Sequence, residues 1–341
     1  MRIGILTFHD VPNFGAFLQV YALSKVIKNM GHDVSVINLP LLKARRNFIG
    51  EVMFSVNNRS FENYRKKFLN ETLKVVDKKD LGRLNFDFFV VGSDQVWNKS
   101  ITKENKMRYF FDFLKDDVKR ISYAASFGQK EWMFDANETK EIKKLIDKFS
   151  GVSVRENQGK IFCEDFLEIK PQVVLDPTLL LDDYSELISK EDIKSDKVVC
   201  FKFSRDNKFY EFVKNFKKEG YKILELRGVK PFKGTSIVPF PSIGDWLYHI
   251  RNGSYVLTDS FHGVCFSIIF KKNFIVTPAD IKKFNRIENL LKNLGLEDRI
   301  HYSYDEILNS ERWKEDIDYD TVYKKLEEMR RKSIDFLKTY M

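Results

Sequence analysis

The 341-residue chain reads as an α/β protein of two doubly wound, Rossmann-like domains facing across a cleft. Three observations predict this. Short β-branched runs alternate with amphipathic helical stretches along the chain. The alternation pauses at Asp176-Pro177-Thr178, a turn signal, and then resumes. Apolar residues make up 43% and aromatics 14%, ample for two cores.

The first series opens with a strand from Ile3 to Phe8. A loop with Asn13 and Gly15 leads to a helix from about Ala16 to Met30, where Leu18, Tyr21, Ala22, Val26 and Ile27 have helical spacing. Gly31 stands where a C-cap belongs. Val34 to Leu39 completes a strand–helix–strand unit, the start of a parallel sheet. Phe86 to Val91 is a strand running into Gly92-Ser93-Asp94-Gln95, and Arg120 to Ala125 is another, running into Ser126-Phe127-Gly128. Glu138 to Phe149 is helical, Gly151 to Val154 is a short strand ending at Arg155, and Gln172 to Leu175 precedes the turn.

In the second series Lys197 to Phe203, Tyr221 to Leu226, Tyr255 to Thr258 and Asn273 to Val276 read as strands. Helices fall near Asn207 to Lys218, Ser242 to Asn252, Phe261 to Phe270 and Phe284 to Leu294. From Thr321 the chain reads as one long helix with an apolar stripe of Val322, Leu326, Met329, Phe336, Leu337 and Tyr340. The expected division is 1–175, 176–320, and a C-terminal helix 321–341 packing back across the interface.

The formal net charge of +9 suits anionic partners. The excess is concentrated between Pro40 and Asn70, where Lys43, Arg45, Arg46, Arg59, Arg65, Lys66 and Lys67 outnumber Glu51 and Glu62. Phe48, Met53, Phe54 and Tyr64 are interleaved with them. Two readings stay open: peripheral contact with the inner face of a membrane, or a solvated helix pair whose aromatics pack inward. No nucleic-acid-binding motif accompanies the charge, so no nucleic acid partner is expected. Cys163, Cys200 and Cys265 have neither disulfide nor metal spacing and read as small buried hydrophobes in a reducing cytoplasm. The start lacks the apolar region of a signal peptide, and no apolar run approaches the ~20 residues of a membrane span. No dinucleotide fingerprint, Walker A loop, nucleophile elbow or HExxH motif is present, which counts against NAD, ATP, serine-hydrolase and zinc-protease chemistry.

In open α/β sheets ligands bind beyond the carboxyl ends of the strands. The loops at Asn13–Gly15, Gly92–Gln95, Ser126–Gly128, Arg155 and Thr258–Gly263 should therefore converge on the cleft. His262 stands between a strand and an apolar helix, where amide groups hold phosphate and an imidazole can transfer protons; capping the helix is the alternative. His9 follows the first strand and is a weaker candidate. His32, His249 and His301 read as surface or capping residues. Arg155 suits a carboxylate or phosphate, or else a structural ion pair with Glu156 or another acid. Asp94 can accept a proton from a sugar hydroxyl, or serve as an ordinary N-cap.

Taken together, ILTFHDVPNFGAFLQVYAL, FFVVGSDQVW, ISYAASFG, VSVRE, VLDPTLLL and TDSFHGVCFSIIFKKNF resemble the polysaccharide pyruvyl transferase family along nearly the whole chain. The resemblance implies a GT-B-like fold, with the first domain on the acceptor side and the second on the donor side. It implies phosphoenolpyruvate as co-substrate, a hexose of a cell-surface polysaccharide precursor as acceptor, and a pyruvate ketal as product. No other cofactor and no metal is expected. His262 is then the general acid, and Arg155, with Ser260 and Gly263 at the helix head, meets the donor. Asp94 acts on the acceptor, which Asn13, Gly15, Gln95 and Ser126 line. One position departs: Ser260 stands where described members of the family carry arginine, and Lys202, Arg205 or Lys271 are the candidate replacements. Two alternatives stay open. One is a nucleotide-sugar glycosyltransferase, for which the chain after His262 offers only Asp280 and Glu288 as carboxylates of interest. The other is a non-catalytic sugar- or phosphate-binding relative.

Overall fold

The structure, a computed structural model of the full chain, describes residues 1–41, 48–75, 78–204, 207–226, 235–278, 284–309 and 314–341. Lys43, Arg45, Arg46, Arg205 and Asp280 lie outside the described residues. The chain divides into two compact units, Met1–Leu181 with Glu328–Met341, and Asp182–Glu327.

The first unit runs β1 (Arg2–Leu6), α1 (Phe14–Asn29), β2 (Asp33–Val36), α2 (Phe48–Phe68), α3 (Lys78–Gly82), β3 (Phe88–Val91), α4 (Lys99–Thr102), β4 (Arg120–Ala125), α5 (Ala136–Ile146), β5 (Gly151–Val154), α6 (Asn157–Leu167) and β6 (Gln172–Val173). Its sheet has the order β2-β1-β3-β4-β5-β6, with every pairing parallel. The strand order reverses between β1 and β3. All four residues of β3 and all six of β4 are buried, as a sheet covered on both faces requires.

The second unit runs β7 (Lys197–Phe201), α7 (Asn207–Lys218), β8 (Lys222–Glu225), β9 (Ser236–Ile237), α8 (Ile243–Asn252), β10 (Tyr255–Thr258), α9 (Phe261–Ile269), β11 (Asn273–Val276), α10 (Asn285–Leu294), α11 (Tyr304–Asn309) and the start of α12 (Tyr319–Tyr340). Its parallel sheet has the order β11-β10-β7-β8-β9, reversing between β7 and β10. Both units are therefore doubly wound α/β layers, as the alternating pattern predicts.

Of the strands that end earlier than expected, three spend their final residues on other bonds. Thr7 and Phe8 leave β1 because the Thr7 hydroxyl donates to the Ser93 carbonyl and the Phe8 carbonyl accepts from Gln19. Phe203 leaves β7 because its amide donates to the Asp259 carboxylate. At the end of β2, Leu39 N donates to the nearby Ile37 carbonyl instead of continuing the ladder.

The chain passes into the second unit after Leu181, whereas the boundary was expected after residue 175. Thr178 and Leu179 are buried, and the Leu179 carbonyl accepts from Arg330 Nε at 2.5 Å. Within the second unit the Tyr319 hydroxyl of α12 donates to the carbonyls of Ser267 and Lys272 at 3.2 and 2.5 Å. Within the first unit the end of α12 accepts from Leu175 N at Ser333 Oγ, 3.0 Å, and sets Phe336 6.3 Å from the Tyr123 ring.

The basic stretch before Asn70 enters α2. Arg65 is buried, and Phe61, Tyr64 and Phe68 meet Phe14, Phe17 and Tyr21 of α1 at centroid separations of 5.1, 6.0 and 6.1 Å. Those aromatics pack inward, and Arg65 is no surface cation. Among the described residues no helix is long and apolar enough to cross a membrane. All three cysteines are buried and unbridged.

Candidate functional sites

Each sheet reverses its strand order once, and such a switch point opens a crevice at the carboxyl ends of the strands. In the first unit the loops after β1 and β3 are joined there by buried polar groups. Gln19, within α1, donates to Thr7 Oγ1 at 3.0 Å and accepts from Ser93 N at 3.0 Å. Ser93 Oγ donates to the Ala124 carbonyl at 2.8 Å. Gly92 precedes Ser93 through a cis peptide and has φ +109°; a Cβ there would lie 2.3 Å from the Tyr123 carbonyl oxygen, so only glycine fits. Asp94 follows with φ +73°, a left-handed conformation that Asp tolerates better than most residues. Its carbonyl accepts from Val96 N and Ser126 N at 2.8 and 3.0 Å, which pins the turn.

Asp94, Gln95, Ser126 and Arg155 are brought together beyond β3, β4 and β5. The Arg155 side chain is 2% exposed and faces three carboxylates: Asp176 at 2.8 Å, Asp94 at 3.4 Å and Glu156 at 3.8 Å. Burial alone would lower its pKa; Asp176, Asp94 and Glu156 outweigh that and hold it above the usual arginine range. Ser126 Oγ donates to Glu156 Oε1 at 2.6 Å and accepts from Gly128 N at 3.1 Å. Gln95 Oε1 accepts from Asn98 Nδ2 at 2.9 Å. Asn13 is the N-cap of α1, its side chain accepting from Ala16 N at 3.2 Å, and Gly15 is buried in the first turn. The ion-pair reading of Arg155 is the one its surroundings match. An added carboxylate or phosphate would meet negative charge there, not a vacant fork.

Sequence reasoning missed Gln19, Asp176 and a cluster beside His9. Their signals were faint: one glutamine inside an otherwise apolar helix, and an aspartate taken only as a turn former. His9 is buried with Nδ1 3.1 Å from the Thr7 carbonyl oxygen and Nε2 3.8 Å from Glu71. Arg65 reaches Glu71 at 3.2 Å and also pairs with Asp10. Burial pushes the His9 pKa down; the Thr7 carbonyl and Glu71 offset this only in part. His301, expected at the surface or in a cap, is buried instead, because its amide extends the β11 edge by donating to the Val276 carbonyl at 2.9 Å.

In the second unit the switch point lies between β7 and β10, and His262 stands on it, buried in the first turn of α9. Ser260 caps that helix, its Oγ accepting from Gly263 N at 3.4 Å while its own amide donates to Thr258 Oγ1 at 3.0 Å. Gly263 is required by contact: a Cβ would sit 2.4 Å from Thr258 Oγ1. Asp259 accepts from Phe203 N and Ser204 N at 2.7 and 3.0 Å, tying the loop after β7 to the loop after β10. Lys202, offered by the sequence as a replacement cation, is buried, donates to the Thr277 carbonyl at 3.1 Å and to the Thr277 hydroxyl, and lies 3.5 Å from Asp259. Those partners match the three donors of an ammonium. Lys271 lies beyond the opposite end of α9, about 13 Å along a helix of this length, over the Tyr323 ring at 4.5 Å. Arg205 falls outside the described residues. Among the described residues no group of three or more His, Cys, Asp or Glu side chains could hold a metal ion.

The polysaccharide pyruvyl transferase family profile matches residues 13–280, which takes in both switch-point loops from Asp94 to His262. The chain belongs to the polysaccharide pyruvyl transferase family. No curated protein matches its sequence. Solved structures resemble this polysaccharide pyruvyl transferase family member in fold. S. aureus MnaA, in a co-structure with UDP, has a TM-score of 0.55 at 11% identity, covering 94% of this chain and 90% of that one. Arabidopsis thaliana UGT89C1 has a TM-score of 0.55 at 12% identity, covering 98% of each chain. The spinosyn forosaminyltransferase SpnP has a TM-score of 0.50 at 11% identity, covering 98% of this chain and 95% of that one. At such identities these neighbours show the fold alone, a GT-B-type fold of two doubly wound α/β units.

Proposed function

We propose that the protein transfers the pyruvyl group of phosphoenolpyruvate to a hexose of a cell-surface polysaccharide precursor, forming a pyruvate ketal. The observation that carries this reading is His262 at the head of α9, on the switch point of the second unit and inside the family match. Two further facts support it. The basic chain suits an anionic donor, and Asp94 is held in a fixed turn at the carboxyl edge of the other sheet. Three unbridged cysteines fit a cytoplasmic location.

The chemistry balances without a redox step. His262 delivers a proton to the methylene carbon of phosphoenolpyruvate, and the adjacent carbon becomes electrophilic. A sugar hydroxyl attacks it, losing its proton to Asp94. The carbon–oxygen bond to phosphate then breaks, a second hydroxyl of the same sugar closes the ketal, and its proton leaves with the inorganic phosphate. Amide groups at the head of α9 favour the phosphate's charge. Arg155 holds Asp94 on this reading and does not meet the donor. Gln95, Ser126, Asn13 and Gly15 form the acceptor side.

His262→Ala should lower transfer by roughly 10²–10⁴-fold, the usual contribution of a general acid, while circular dichroism and the urea midpoint stay close to wild type. Near-normal turnover in that variant would remove His262 as the acid.

A second reading, transfer from a nucleotide sugar, is favoured by the structural likeness to MnaA in its co-structure with UDP. Thermal shifts with phosphoenolpyruvate and with UDP-sugars separate the two. Stabilisation by UDP-sugars alone would favour the second.

A further inference from the structure

The reading above asks Asp94 to take a proton from a sugar hydroxyl, which requires its carboxylate to stand at one place in every turnover. Asp94 lies in the turn after β3, and its own carbonyl is held by Val96 N and Ser126 N. The residue before it is held from the other side. Ser93 donates its amide to Gln19 Oε1 at 3.0 Å, and its carbonyl accepts from the Thr7 hydroxyl at 2.7 Å. Both main-chain groups of Ser93 are therefore bonded by side chains, one from α1 and one from just beyond β1.

These bonds allow one orientation of the Gln19 carboxamide. A hydroxyl has a single proton, and Thr7 spends it on the Ser93 carbonyl. Thr7 Oγ1 can then only accept, and it accepts from Gln19 Nε2 at 3.0 Å. The same Nε2 lies 3.2 Å from the Phe8 carbonyl oxygen and 3.0 Å from that of Ala16, so its two protons are shared among three acceptors. Turning the amide over would set Oε1 against those oxygens and leave the Ser93 amide without its acceptor. Gln19, Thr7 and Ser93 are all fully buried, and a buried network whose members are all bonded is rigid. Packing alone does not ask for glutamine here. Phe17, Leu18, Val20 and Leu23, each fully buried, already seat α1 on the sheet, and an apolar residue would serve at position 19.

We propose that Gln19, together with Thr7, is a positioning residue: it fixes the main chain of Ser93, and through it the Asp94 carboxylate, for acceptance of the hydroxyl proton. Neither Gln19 nor Thr7 touches substrate. The proposal rests on the pyruvyl-transfer reading for the reaction served, and on the bonds around Ser93 for the role of Gln19.

The test is a double-mutant cycle on the full chain. Rates are measured for wild type, Gln19→Met, Asp94→Asn and the double variant in a mixture of phosphoenolpyruvate, free hexoses and UDP-hexoses, following release of inorganic phosphate and of UDP. Methionine keeps the length of the side chain without its bonds, and the urea midpoint of each variant establishes that it folds. Gln19→Met should slow phosphate release roughly 10- to 100-fold with the affinity for phosphoenolpyruvate unchanged, the order of loss that a reacting group misplaced by about 1 Å brings. In the Asp94→Asn background the same change should cost less than about twofold, since no carboxylate remains to be positioned. Thr7→Val should slow release as Gln19→Met does, and Thr7→Ser, which keeps the hydroxyl, should restore it. If Gln19→Met does not fold, Thr7→Val takes its place in the cycle. An equal loss in both backgrounds overturns the proposal and leaves the pyruvyl reading standing, because a residue that only supports the fold slows both proteins alike. A loss seen in UDP release instead, and again absent in the Asp94→Asn background, keeps the role of Gln19 and overturns the pyruvyl reading. Full activity in Asp94→Asn overturns the role of Gln19 along with that of Asp94.

Discussion

Asp94 shows how one residue can be structural and chemical at once. Its φ of +73° is costly for most side chains, so the position itself selects Gly, Asn or Asp. The carboxylate then lies 3.4 Å from Arg155, which is itself shared with Asp176 at 2.8 Å. Of the three acids around this buried guanidinium, Asp94 is the least enclosed, with a side chain 15% exposed against 6% for Glu156 and 0% for Asp176. Asp94→Asn separates the two roles, because asparagine tolerates the same backbone and keeps the side chain's size. The variant should fold with a near-normal urea midpoint and lose about 10²–10⁴-fold in transfer rate. Full activity would reduce Asp94 to a turn former. Nothing in the bare sequence separates these roles: GSD is a short, common string, and the acids around Arg155 come from three separate strand ends.

At the scale of elements, the legible features were those set by local pattern. Arg120–Ala125, Gly151–Val154, Tyr255–Thr258 and Asn273–Val276 are strands with the limits their apolar runs predict, because fully buried parallel strands contain few polar residues. α6 was not legible. Its buried Gly159, Phe162, Cys163 and Leu167 have helical spacing, but they are few and Glu156 makes no side-chain cap, so no start signal marks it. The site was half legible for a similar reason. Residues at strand ends can be read from topology, but Gln19 comes from inside a helix and reaches those ends only through packing. α12 illustrates what a stripe can and cannot tell. Its apolar residues announce a buried face, while its division between the two units follows from bonds such as Arg330 to Leu179 and Ser333 to Leu175. Leu337 is fully buried in the first unit's share of α12. Leu337→Ala should therefore destabilise the first unit by about 2–5 kcal/mol, measured by urea unfolding. A loss below about 1 kcal/mol would mean that the end of α12 is only loosely held.

For the whole molecule, the pH dependence of stability follows from histidines kept neutral by burial. His9, His249 and His301 each titrate below their ordinary value of 6.5 in the folded chain, burial being the largest cause for all three. As pH falls through 6.5 the unfolded chain takes up these protons before the folded chain does. The unfolded state then binds more protons, so stability falls with falling pH. The carboxylates held low by lysines, such as Glu62 by Lys66 and Asp116 by Lys148, contribute their own loss only when pH approaches their ordinary values of 4.5 and 3.8. Between pH 6.5 and about 5 the histidines therefore set the slope. His9 should dominate, since its ring is the most deeply enclosed, facing Glu71 and Asp10, which favour the charged form, and Arg65, which opposes it. The urea midpoint should drop between pH 7.0 and 5.5, and His9→Gln should flatten that drop whatever its effect on stability at pH 7.0. A midpoint that is constant across this range in the wild type, or an equally steep fall in His9→Gln, would show that a buried neutral His9 does not set the slope.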